Sequence, residues 1–564
     1  MSFTSIIRSF RALARAIVFV GTAVHGVLAG AGLACAQAPA TPLDQKYQET
    51  DPALYAIARK YFPSDVNEVS PKRIFRLTRD QLDATVATLL PRHFAKSIKE
   101  TMPRDPLQTN YEYAEILSFN PANITALTTW VRDIAARVEK NPAGVIDCPA
   151  ASATTECHEA AARAFVIRAF RGDVSEERLG EIVKFYLTRA RDAGPSQAAA
   201  ELVEVVLNSP GFLFRKELDL DNSHRLAPPQ LLQALTYTIA DAPPEKLKMQ
   251  SESASQYLQS GTSARATLTV IASSGEAREK LVRFFMSWLE VSEPGDFTIS
   301  REVFPEFTPK FAGSMVADTT QFLRTQLAKP APRLRDITQA IQLPGAKAGT
   351  GSAVAPVALA SSGTADASNT GAQRFGILSD PAVIASHSGP TNTRPIRRGV
   401  FWARKVLCME MEPPPPELHA KLHQMTGATE RQRIEKTTRQ AACIGCHKII
   451  NPLGFFLESY DALGRWRTLD NGQPIDPVID INFLDEGPSS AENPIEALKI
   501  FTSSLMFKQC FVRQLFRFYV GRQEEAGDDP LLRRLFFEFA HNDKQDILAV
   551  IQMLASSNRL VRRQ

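Results

Sequence analysis

Two cysteines three apart, with a histidine directly after the second, stand in RQAACIGCHKIINPLGFFLESYDALGRWR over residues 439–467: Cys443, Cys446 and His447. The chain holds only seven cysteines and nine histidines in 564 residues. Composition alone would place a C-x-x-C-H in such a chain roughly once in a thousand cases. On a helix, positions i, i+3 and i+4 share a face, so both thiols and the imidazole point the same way. A covalently held haem c requires this arrangement: the thiols add to vinyl groups of the porphyrin edge as thioethers, and the imidazole reaches the iron from one side. Three other readings compete. A zinc site wants two further Cys or His ligands at defined spacing, and the sequence has no second C-x-x-C. A dithiol redox motif usually opens a helix after a strand in a βαβ pattern, which is missing. A chance structural disulfide is the third.

The flanks agree with haem. Leu453, Phe455, Phe456, Leu457 and Tyr460 can cover an apolar macrocycle, and Arg465 and Arg467 can pair with its propionates. The plain alternative makes them core aromatics and solvated arginines. Pro452 is expected to end the haem helix and to leave a carbonyl for the far nitrogen of His447. For the sixth position of the iron the sequence points to His387, in the polar loop VIASHSGPTN, whose surroundings lack helical apolar spacing. An open position and Met506 follow, Met506 lying on an apolar helix where methionine more often packs than ligates. His419, His423 and Met425 lie nearer the cysteines on a charged stretch.

These residues need a scaffold, and composition bounds it. A length of 564 residues favours several modules, and 44% hydrophobic with 22% charged residues is an ordinary globular balance. The formal charge of +4 falls to +1 without Arg8, Arg11 and Arg15. No basic field for nucleic acid is implied. Residues 1–36 read as a signal peptide: a cationic start, an apolar stretch from Ala16 to about Leu33, and small residues at Ala34-Cys35-Ala36. An uncleaved anchor and a lipoprotein acylated at Cys35 are the alternatives. No later segment has eighteen unbroken apolar residues, so the mature chain is expected to lack a membrane span and to be periplasmic or secreted. Export lets thiols pair. Cys148 and Cys157 flank the loop CPAASATTEC and are expected to form a disulfide, whereas Cys408 and Cys510 either pair across the fold or stay buried thiols.

The periodicity is helical almost throughout, and the expected fold class is all-α. LTRDQLDATVATLL places Leu77, Leu82, Val86 and Leu89 or Leu90 on one side. In DVSEERLGEIVKFYLTRARDAG, Asp173 and Glu176 have capping-box spacing ahead of the stripe Leu179, Ile182, Val183 and Tyr186. The expected organisation is a signal at 1–36, helical modules at 42–141, 148–218 and 224–343, and a low-complexity linker at 344–373. A haem module at 374–480 and a helical module at 481–564 complete it. No clear sheet is expected.

CIGCHKIINPLGFFLESYDALGRWR, followed by GQPID and FKQCFVRQLFRFYVGR, resembles the planctomycete-type cytochrome c domain proteins. RPIRRGVFWARKVLC, SPGFLFRKEL, CHEAAARAFVIRAFRGD and FRLTRDQLDATVATLL extend the resemblance over nearly all of residues 70–564. It implies an exported helical protein with c-type haem, built from modules without an assigned activity. Many relatives carry a further N-terminal C-x-x-C-H, which this chain lacks, and the stretch 344–373 replaces a more ordered connection. The leading expectation is one covalent haem c serving electron transfer with a redox partner protein. A haem-dependent oxidoreductase or peroxidase-like enzyme, and a scaffold with accessory haem, are the rivals. No Ser-His-Asp order, glycine-rich phosphate loop or H-E-x-x-H motif supports hydrolysis or nucleotide use.

Overall fold

The computed structural model describes residues 42–113, 116–148, 154–342, 374–413 and 429–564. The expected signal at 1–36, with Cys35, the expected linker at 344–373, and His419, His423 and Met425 lie outside the described residues.

Helices start where the sequence supplies caps. Asn120 caps α1 (Pro121–Lys140) through a reciprocal bond with Asn123, and Pro121 needs no N–H in the first turn. Thr154 caps α2 (Thr155–Ala169). Ser175, not Asp173, caps α3 (Glu176–Ala193), accepting from the Arg178 N–H. The Asp173 carboxylate turns instead to Gln230 and Lys216. Helix α3 buries Leu179, Ile182, Val183 and Tyr186, and packs with α1, α2 and α4 (Pro195–Leu207) around one apolar cluster.

A second, larger cluster runs from Tyr47 to Val561. It gathers α5 (Pro228–Ala240), buried on every side, and α6 (Gly275–Trp288). It also takes up α7 (Pro381–Ser386) and α8 (Pro395–Phe401), which runs on as a π-helical turn over Trp402–Val406. Next come α9 (Glu430–Thr438), α10 (Ala441–Phe455) and α11 (Leu505–Phe516). The modules read from the sequence therefore share cores, and Pro42–Gln564 is one unit.

The fold is mainly helical, but the expectation of no sheet is corrected by four two-stranded antiparallel ribbons among the described residues. In the longest, Arg73–Arg76 (β1) pairs with Phe214–Glu217 (β2). Four residues are too few to show alternation, and the partner lies 144 positions away. Buried Glu217 ties this ribbon to the chain end, accepting from Arg73 and from Arg563 at 2.7 Å each. No helix among the described residues is long and apolar enough to cross a membrane.

Candidate functional site: the C-x-x-C-H helix

Helix α10 carries Cys443, Cys446 and His447 within its first two turns. Both thiols are free; Cys443 is half-buried and Cys446 exposed, as are Ile444, at 47%, and Gly445. The second half is locked. Ile450, Leu453, Gly454 and Phe455 are buried, and α10 crosses α8 so closely that each helix lays a glycine against the other's backbone. A Cβ on Gly399 would overlap the Ile450 carbonyl, and one on Gly454 would overlap that of Pro395. Only glycine permits such an approach.

Pro452 does not end the helix, which continues to Phe455. Its missing N–H leaves the carbonyl of Lys448 without that bond, and Lys448 is an exposed residue, so water can take its place. The partner of His447 is a side chain rather than a freed carbonyl. Nδ1 lies 2.8 Å from Asn451 Oδ1, one turn on, and the Asn451 amide donates to Thr438 Oγ1 of α9 at 3.0 Å. Neither Asn451 nor Thr438 belongs to the C-x-x-C-H motif itself. The i, i+4 spacing of His447 and Asn451 was the available signal.

The structure uses the flanking residues for the fold. Leu453, Phe455, Phe456, Leu457 and Tyr460 all lie in the main core, with Phe456 edge-on to Trp402 and Tyr460 edge-on to Trp466. The macrocycle-covering role gives way to packing, because the run follows the half of α10 that faces inward. Arg465 pairs with Asp461 at 2.6 Å and with Glu306 at 2.5 Å. Arg467 pairs with Glu458 at 2.9 Å and Asp470 at 3.0 Å. Beneath them Arg398, 1% exposed, donates to the carbonyls of Leu457, Tyr460 and Asp461 and to Ser388 Oγ. Burial pushes the Glu458 carboxyl up, against the pull of Arg398 and Arg467. Asp470 also accepts from the first N–H of α9, so this network holds the α9 start against the loop after α10.

His387 is a correction. It is 3% exposed, stacks on Phe401 with ring centroids 3.6 Å apart, and donates from Nε2 to the Leu289 carbonyl at 3.0 Å. Burial holds its pKa down at about 3. The polar loop of the sequence is a packed segment at the end of α7, so its imidazole is a satisfied core group. Met506 is likewise packed against the main core. Cys148 and Cys157 form a disulfide, with Cα atoms 5.9 Å apart. A second disulfide joins Cys408, after α8, to Cys510 on α11.

The residues fit a haem attached through α10: two free thiols one turn apart, and an imidazole whose Nδ1 is occupied and whose Nε2 makes no bond within the described residues. Among those residues no group of three or more His, Cys, Asp or Glu is arranged to hold a metal ion by itself. A mainly helical protein that presents C-x-x-C-H on a half-exposed helix is the class defined by fold and motif. Residues 374–470 match the PSCyt3 family, a protein of unknown function (DUF1588). Residues 157–217 match PSD5 (DUF1595) and 226–342 match PSD4 (DUF1592), both also of unknown function. All three are planctomycete cytochrome c domain families, in agreement with the resemblance read from the sequence. No curated protein and no solved structure matches it.

Proposed function

We propose that this is an exported c-type haem protein that transfers electrons through one covalently bound haem. Cys443 and Cys446 carry the thioether links, and His447 is the proximal ligand through Nε2. The observation that carries the reading is the pair of free thiols on the exposed face of α10, beside an imidazole whose far nitrogen is already held by Asn451. The bound haem supplies one-electron redox chemistry; the chain supplies attachment, ligand orientation and a helix anchored at its other end. A surface-mounted group suits exchange with a redox partner protein, because the partner need not enter the fold. Export is supported by the leader-like residues 1–36 and by the two disulfides.

One observation favours the rival, a haem-dependent oxidoreductase. His387 and Met506 are both packed in the core, which leaves the sixth position without either of them. The optical spectrum separates the two readings: a low-spin six-coordinate iron for electron transfer, a high-spin iron with an open site for chemistry. Attachment itself is tested by acid–acetone extraction of protein made with a c-type maturation system. Haem is expected to stay on the polypeptide and to be weakened or lost in Cys446→Ala. Wild-type protein that yields all its haem to the solvent, or takes up none, overturns the reading.

A further inference from the structure

We infer that Thr438, on the neighbouring helix α9, sets the tautomer of His447 by relay through Asn451 and so directs the lone pair of the imidazole onto Nε2. The inference rests on the proposed haem reading only for what Nε2 binds; the tautomer itself is a property of the polypeptide.

The argument starts from a group whose polarity cannot change. The Ile434 carbonyl can only accept, and the Thr438 hydroxyl donates to it at 2.9 Å. Thr438 is buried, at 2% exposure, so its single proton is committed there and its oxygen can only accept from a third group. That group is Asn451, 3.0 Å away, which must therefore present its NH2 to Thr438 and its oxygen to the other side. The oxygen faces Nδ1 of His447 at 2.8 Å. An amide oxygen accepts only, so Nδ1 must carry the proton and Nε2 the lone pair. Each link fixes the next, and the chain of bonds joins two helices. Without Thr438 the Asn451 amide can turn over, present its NH2 to Nδ1, and stabilise the opposite tautomer, which points an N–H where a metal ligand needs a lone pair.

Thr438 and Asn451 are thus positioning residues. The test uses the full-length chain made without haem maturation and kept reduced, with 15N-labelled histidine. The tautomer of His447 is read from long-range 15N–1H correlations at about pH 8.5, above the ordinary imidazole range. His447 is assigned by its loss in His447→Gln. Wild type and Thr438→Ser, which keeps the hydroxyl, are expected to hold mainly the Nδ1–H form. Thr438→Val and Asn451→Leu are expected to lower the ratio of Nδ1–H to Nε2–H by roughly tenfold, the scale of one hydrogen bond. A wild-type His447 that is mainly Nε2–H overturns the inference, and so does a folded Thr438→Val protein with the wild-type ratio. Failure of haem attachment leaves these readings intact, so the two claims fail separately.

Discussion

From Ala441 to His447, helix α10 is half-buried at most; from Ile450 to Phe455 it is pressed onto α8 with glycines at both close approaches. Fifteen residues of one helix thus divide into a displayed part and an anchored part. The displayed part contributes little packing, so its geometry depends on the anchored part and on the Thr438–Asn451 link across to α9. A reactive motif can be held in place without being buried when the same helix is fixed one turn further on. If the division is real, substitutions in the two parts should differ sharply in cost.

The largest expected effect lies on α8, the helix against which the anchored part is pressed. Arg398→Met leaves three carbonyls, Ser388 Oγ and Glu458 without their buried partner, and should lower stability by about 3–5 kcal/mol in denaturant unfolding. A loss below about 1 kcal/mol would mean that the loop after α10 is held by something else.

His387 offers a pH-dependent test of the core beneath α8. Its folded pKa of about 3 lies below the ordinary 6.5, so the fold favours the neutral ring. The associated stability is complete above pH 6.5 and is lost as pH falls toward 3, at about 1.4 kcal/mol per pH unit. Between pH 6.5 and 4.5 wild type should lose about 2 kcal/mol through this residue, and His387→Phe should lack that component. In haem-loaded protein the same substitution should leave the spin state unchanged.

The glycines give the smallest effects and the cleanest contrast. Gly454→Ala puts a methyl into the Pro395 carbonyl and should cost about 1–3 kcal/mol. Gly445→Ala meets nothing within 4 Å and should be neutral or stabilise by up to about 1 kcal/mol, through helix propensity alone. Equal costs at the two positions, measured by thermal unfolding, would erase the distinction between the two parts.

What was legible in the sequence follows from the range of each interaction. C-x-x-C-H, the helical periodicity and the stripe on α3 are local, and a window of a dozen residues contains them. The β1–β2 ribbon, the Arg398 network and the burial of His387 depend on partners tens to hundreds of residues away. His387 looked like a loop residue because Ser386, Ser388 and Gly389 surround it. The fold buries that polar run and satisfies it, with Ser388 accepting from Arg398 and the His387 ring donating to Leu289. Arg465 and Arg467 looked free because Glu306 is remote in sequence and Glu458 lies nine residues away from Arg467. Asn451 was within reach of local reasoning, but Thr438, which gives it direction, belongs to another helix.

The central claim, that α10 displays a haem-attachment motif, is tested most directly by the mass of the intact, denatured protein together with its pyridine haemochrome spectrum, after expression with c-type maturation. The account predicts a mass increase of one haem per chain and a spectrum of two saturated vinyl positions, with the increase abolished in Cys443→Ala, Cys446→Ala double-substituted protein. A wild-type mass equal to that of the bare polypeptide, with both α10 thiols still open to alkylation, would contradict it.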